Sequence, residues 1–285
     1  MTIATPLVFF VLLAAASVGP AAAQSAAPRI GVVVMHGKGG SPSKHVAELA
    51  SALESKGSLV ANLEMPWSGR RHYDAPVAAA EAEVETALGE LRRKGATRLF
   101  VAGHSQGGLF ALYLGGRHPV DGIIAIAPGG NVASPSYREK LGGSVARARE
   151  LIAAGKANQP AWFLDLEGSK GTYAIACTPA NYLSWFDPDG ALDESRAVRA
   201  VDPKVPVLFI APQGDYAPLR NSKQAMFTAL PANPLTRLYE PDASHIEAPS
   251  ASIEEIARWT AEVAAGAGAQ TPTAQTPPEP HPQPR

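Results

Sequence analysis

The feature that most constrains this chain is LFVAGHSQGG, residues 99–108. An apolar run passes through a glycine-flanked serine and continues at once into a helical pattern. Residues 99–102 read as a buried strand and 106–117 as a helix, so Gly103-His104-Ser105-Gln106-Gly107 must turn the chain sharply between them. Side chains two residues either side of Ser105 would collide with the neighbouring strand and helix, which accounts for glycine at 103 and 107. The turn therefore requires layered α/β packing and lifts Ser105 onto a strained apex.

The rest of the core alternates in the same way. Strand patterns occupy 30–35 (IGVVVM), 59–63, 123–127, 207–211 and 236–239; helical patterns occupy 43–55, 77–94 and 252–264. Continuous β-branched strands between helices predict a mostly parallel sheet with helices on both faces. Residues 131–204 break the alternation. A loop of roughly seventy residues is improbable inside a compact domain, so this insertion should carry its own helices, with 144–157 and 193–201 as candidates. It also gathers aromatic residues. Trp162, Tyr182, Trp185 and Phe186 are candidates for the wall of an apolar pocket over Ser105, or for the core of the insertion itself.

Both ends differ from this core. Residues 7–18 (LVFFVLLAAASV) are too short for a bilayer span, which takes about 20 apolar residues, and Ala21-Ala22-Ala23-Gln24 follows. Residues 1–23 read as a signal peptide, although no Lys or Arg precedes the apolar run; an uncleaved anchor is the competing reading. A secreted or periplasmic protein without a stable membrane span is expected. Residues 266–285 are rich in Pro, Gln and Thr and read as a disordered tail, leaving one domain over 24–265. The 25 Lys+Arg against 26 Asp+Glu argue against a nucleic-acid partner. One cysteine, Cys177, excludes an intrachain disulfide framework and a Cys-cluster metal site, and it reads as a buried small hydrophobe.

A serine hydroxyl needs a base, and the base needs a group to orient it. The strand at 207–211 leads into Pro212-Gln213-Gly214-Asp215, and the strand at 236–239 leads towards Asp242-Ala243-Ser244-His245. A carboxylate and an imidazole are thus expected at the same end of the sheet as Ser105. Asp242, three residues before the histidine, is the alternative acid. In this order and context the sequence resembles an α/β-hydrolase over 30–264. The resemblance implies Ser105 as nucleophile, His245 as base and Asp215 as orienting acid. His36-Gly37-Lys38-Gly39-Gly40 matches the family's oxyanion loop, so the backbone N–H groups of Lys38 and Gln106 are implied as the oxyanion donors. The insertion is then a cap.

The Gly-rich loop at 36–40 satisfies neither the Walker A nor the dinucleotide spacing, and the remaining histidines show no metal-ligand spacing. No cofactor or metal is expected, and nothing in the sequence speaks to oligomeric state. The resemblance implies a serine hydrolase that cleaves small-molecule carboxylic esters through an acyl-enzyme. An amide hydrolase, an acyltransferase or a non-catalytic binding protein on the same fold are the alternatives.

Overall fold

The computed structural model describes residues 27–168 and 170–266; the signal-peptide reading of 1–23 and almost all of the tail at 266–285 lie outside them. In chain order the elements are β1 (Ile30–Met35), α1 (Ala47–Ser55), β2 (Leu59–Leu63), α2 (Val77–Arg93), β3 (Arg98–His104), α3 (Gln106–Leu114) and β4 (Gly122–Ile126). After these come α4 (Pro135–Ala153), β5 (Ala161–Glu167), β6 (Gly171–Cys177), α5 (Pro179–Phe186) and α6 (Glu194–Arg199). The chain ends in β7 (Val207–Ile210), α7 (Ala217–Thr228), β8 (Arg237–Tyr239), α8 (Ala248–Ala251) and α9 (Ile253–Gly266).

Six strands form a parallel sheet in the order β2-β1-β3-β4-β7-β8. Successive strand residues point to opposite faces. Val32 and Val34 of β1 therefore pack with Leu49 and Leu53 of α1 and Ile256 and Trp259 of α9, whereas Val33 and Met35 pack with α2 and α3. Covering both faces is what makes β1 a continuous apolar run rather than an alternating one. The chain moves outward from β1 to β2 and returns to β3 on the other side of β1. That reversal leaves a crevice beyond the carboxyl ends of β1 and β3, where open α/β sheets bind ligands.

The insertion between β4 and β7 differs from the sequence expectation. Helices α4 and α6 fall near the expected places, but β5 and β6 form an antiparallel hairpin with Ala161 opposite Cys177 and Glu167 opposite Gly171. One face of the hairpin, with Phe163, Ile175 and Cys177, is buried; the other exposes Trp162 and Leu164. Such alternation is a half-buried strand pattern, partly disguised by Ala174 and Ala176 on the outer face. Helix α7 was also not anticipated. Cys177 is buried, and burial pushes its thiol up to about 12, so it acts as an apolar filler.

Helix α5 joins the insertion to the sheet layers. Trp185 meets Trp67 and Phe110 edge-on or tilted at centroid separations of 5.3 and 5.5 Å, and its indole N–H donates to the Ala75 carbonyl at 2.7 Å. Tyr182 stacks between Phe163 and Phe186, with both centroid separations 4.4 Å.

Where β3 turns into α3, a β-carbon added at Gly107 would lie 2.6 Å from the Met35 carbonyl oxygen and 2.7 Å from that of His36. Backbone cannot yield as a side-chain tip can. Gly107→Ala is expected to destabilise the protein by several kcal/mol, read as a melting-temperature drop of about 10 °C or more. A wild-type melting temperature in that variant would contradict the close packing described.

Candidate active site

Ser105 sits between β3 and α3 with φ 55° and ψ −118°, a conformation L-residues avoid. The surroundings hold it there: its N–H donates to the Ile126 carbonyl at 2.9 Å, and its carbonyl accepts from Gly129 N–H at 3.1 Å. Gln106 is the first residue of α3, and Lys38 lies in the loop after β1. Neither backbone N–H has an acceptor among the described residues, so both remain available to a ligand.

The loop itself is fixed from beneath. Met65 N–H donates to His36 Nε2 at 3.0 Å, so His36 Nδ1 carries the proton and donates to the Gly37 carbonyl at 2.7 Å. Burial holds the His36 pKa down and keeps this tautomer neutral. Trp67 Nε1 donates to the His36 carbonyl at 2.8 Å, and Gly39 N–H to the Trp67 carbonyl at 2.9 Å.

Asp215 follows β7 and His245 follows β8. Their loops are bound together by Gln213 N–H to Pro241 O at 2.9 Å and Gly214 N–H to Ala243 O at 3.0 Å. His245 Nδ1 donates to Asp215 Oδ1 at 2.7 Å, and both residues are buried. The same oxygen accepts from Tyr216 N–H at 2.6 Å, while Arg220 donates to the Asp215 carbonyl. Asp242, the alternative acid, is exposed and is not the partner of His245. His104 Nε2 donates to the His245 carbonyl at 2.9 Å, and burial together with nearby His245 holds the His104 pKa down to about 3. A neutral His104 thus supports the backbone of His245 without adding charge. Ser105 makes no hydrogen bond to His245 in this structure, where the histidine is bonded to Asp215 through Nδ1.

Ser105, Gln106, Lys38, His104 and His245 line one cavity of about 630 Å³. Leu166, Tyr216, Leu219 and Ile246 contribute apolar lining, and Lys44, Lys140 and Lys170 also line it. The four aromatic residues expected to wall this pocket do not line it. Tyr182, Trp185 and Phe186 are consumed in packing the insertion against the sheet layers, and Trp162 points outward with 64% exposure. The hairpin contributes Leu166 instead, and α4 contributes Tyr137, residues that no sequence motif marked. Tyr216 alone had a signal, as the neighbour of Asp215. Among the described residues no group of three or more His, Cys, Asp or Glu is placed to hold a metal, and no helix is long and apolar enough to cross a membrane.

Glu194, also on the cavity wall, is buried and accepts from Asn131 Nδ2 at 3.2 Å. Burial raises its pKa from the ordinary 4.5 to about 7. Between those values the folded chain holds a proton that the unfolded chain has released, so stability declines as pH rises through this window. The loss is on the order of 3 kcal/mol. The melting temperature of Glu194→Gln minus that of the wild type should therefore increase from pH 5 to pH 8. A constant difference would contradict the buried, proton-holding carboxyl.

A model of the alpha/beta hydrolase family matches residues 12–277. A search of curated protein sequences finds no match. Among solved structures, one from the pair of metagenome-derived lipolytic enzymes LipS and LipT is 20% identical, with 84% of this chain and 95% of that one covered and a TM-score of 0.56. The monoacylglycerol lipase of Paleococcus ferrophilus is 19% identical, with 82% and 94% covered and a TM-score of 0.58. A thermostable carboxyl esterase from Bacillus coagulans is 15% identical, with 84% and 90% covered and a TM-score of 0.57. At these identities the likeness is one of fold. The family match spans nearly the whole chain, and the protein belongs to the alpha/beta hydrolase family.

Proposed function

We propose that this protein is a serine hydrolase that cleaves small-molecule carboxylic esters. The observation that carries the reading is a strained serine at the sheet's reversal point, sharing one cavity with His245, whose other ring nitrogen is bonded to the buried Asp215. Structures similar in fold include lipases and an esterase, which supports esters over amides.

In the proposed reaction Ser105 Oγ attacks the ester carbonyl carbon while His245 Nε2 takes the hydroxyl proton. Asp215, bonded to Nδ1, keeps Nε2 free to accept and stabilises the imidazolium that forms. The carbonyl oxygen becomes an oxyanion, for which the Lys38 and Gln106 N–H groups are the proposed donors. The positive end of the α3 dipole adds to the Gln106 donor. Collapse of the tetrahedral intermediate breaks the bond to the alcohol oxygen, which leaves with the proton from His245. Water, deprotonated by His245, then attacks the acyl-enzyme, and the acid departs as Ser105 regains its proton. A cavity of about 630 Å³ suits a small ligand, with acyl carbons against Leu166, Leu219 and Ile246. With residues 1–23 read as a signal peptide, the enzyme works outside the cytoplasm, secreted or periplasmic.

A fluorophosphonate is expected to modify Ser105 alone, and Ser105→Ala to abolish turnover of p-nitrophenyl esters. Retained turnover in that variant removes Ser105 from the mechanism. Asp215→Asn should lower kcat by about 10⁴, because the imidazole loses its tautomer control, whereas Asp242→Asn should leave kcat nearly unchanged. Steady-state kinetics of the two variants decide between the carboxylates; the reverse ranking would make Asp242 the acid.

A further inference from the structure

Asp165, on β5 of the insertion, is fully buried and accepts four hydrogen bonds. Its Oδ1 accepts from Lys38 Nζ at 2.5 Å and from Leu166 N–H at 2.6 Å. Its Oδ2 accepts from Tyr73 at 3.1 Å and Tyr173 at 2.9 Å. The Tyr73 hydroxyl gives its one proton to Asp165, and its oxygen lies 3.4 Å from the Gln106 side-chain amide; with that amide turned end for end, Nε2, a buried donor with no other partner, donates to it. Lys38 spends its other two protons on Tyr137 Oη at 3.3 Å and the Leu166 carbonyl at 3.0 Å, so its ammonium is fully satisfied.

The two residues tied to this carboxylate, directly or through Tyr73, are the two proposed oxyanion donors, and both line the cavity beside Ser105. Lys38 reaches Asp165 directly, and Gln106 reaches it through Tyr73. Burial opposes the Lys38 charge, yet the adjacent carboxylate more than offsets it and leaves the ammonium pKa above its ordinary value. Tyr73 supplies a separate observation. It and His72 hold positive φ values of 59° and 49°, which cost free energy in side-chain-bearing residues. Helix α5 secures that backbone, since Asn181 Nδ2 donates to the Tyr73 carbonyl at 3.1 Å. The strained turn aims an aromatic hydroxyl inward, at Asp165 and Gln106.

We propose that Asp165 is a positioning residue for the oxyanion hole, fixing the Lys38 and Gln106 amides from the inserted hairpin through Lys38 Nζ and Tyr73 Oη. The inference rests on the ester-hydrolase reading. Asp165 touches no substrate; it acts through the two residues that carry the donors. Because Leu166, its neighbour, lines the cavity, the hairpin that shapes the substrate site also sets the donors' positions.

The test compares wild type, Asp165→Asn, Tyr73→Phe and the double variant Lys38→Met/Asp165→Asn with a p-nitrophenyl ester, alongside melting temperatures. Donors displaced from the developing charge cost the transition state more than the ground state. Asp165→Asn is expected to lose about 10- to 100-fold in kcat with KM within about threefold, and Tyr73→Phe a smaller share of the same kind. The double variant removes both buried charges together. It should regain melting temperature relative to Asp165→Asn while kcat stays low.

Recovery of kcat in the double variant would overturn the proposal, because charge balance alone would then explain the pair. So would a wild-type kcat in a folded Asp165→Asn, or losses confined to KM. Should Asp165→Asn fail to fold, the double variant decides by the same criteria: low kcat with ordinary KM supports the assignment, and a wild-type kcat overturns it. A wild-type protein without Ser105-dependent ester turnover would instead overturn the hydrolase reading, and this inference with it.

Discussion

A β-carbon added at Gly103 would lie 2.0 Å from the Gly107 carbonyl oxygen, so β3 and the start of α3 touch backbone to backbone. Everything else at the site depends on that contact. It forces Ser105 into its positive-φ conformation and directs the first turn of α3 at the crevice beyond β1. It also brings the loop after β1 close: a β-carbon at Gly37 would stand 3.1 Å from both the Ser105 Cβ and His104 Nδ1. The strain is local, and the sheet and helix on either side hold it in place.

Around that apex the protein works with fixed, mostly neutral groups. His36 and His104 are buried and kept uncharged, and each uses a ring N–H to hold a backbone carbonyl. A buried ion pair adds charge beside them. Lys38 and Asp165 are 7% and 0% exposed, and withdrawing such charges from water costs several kcal/mol per ion before their attraction is counted. A well-packed apolar pair could stabilise the fold equally well. What the ion pair adds is direction, because its hydrogen bonds have defined geometry and tie Lys38, in the loop beside Ser105, to the inserted hairpin.

The core sheet was legible because both faces of its strands are covered, which writes 30–35 and 123–127 as continuous apolar runs. The elbow was legible because steric exclusion leaves only glycine at 103 and 107. The meeting of Asp215 and His245 was legible from chain order and strand ends, and the structure brings the two side chains together. The hairpin was not, since its outer face carries alanine beside tryptophan and leucine, which blurs the alternation. The aromatic residues of the insertion misled for a physical reason. Trp185 packs at the seam with Trp67 and Phe110, and Phe186 against Tyr73 and Tyr182, rather than in the cavity. Asp165, Tyr73 and Glu194 left no local signal, because their roles depend on contacts between residues far apart in the chain.

The most direct test of the account is a rapid-mixing experiment with p-nitrophenyl butyrate, quenched in acid and read by intact and peptide mass. The account predicts a burst of one p-nitrophenolate per chain, with a butyryl group on the peptide containing Ser105. Ester turnover with no acyl adduct, or with the adduct on another residue, would contradict it.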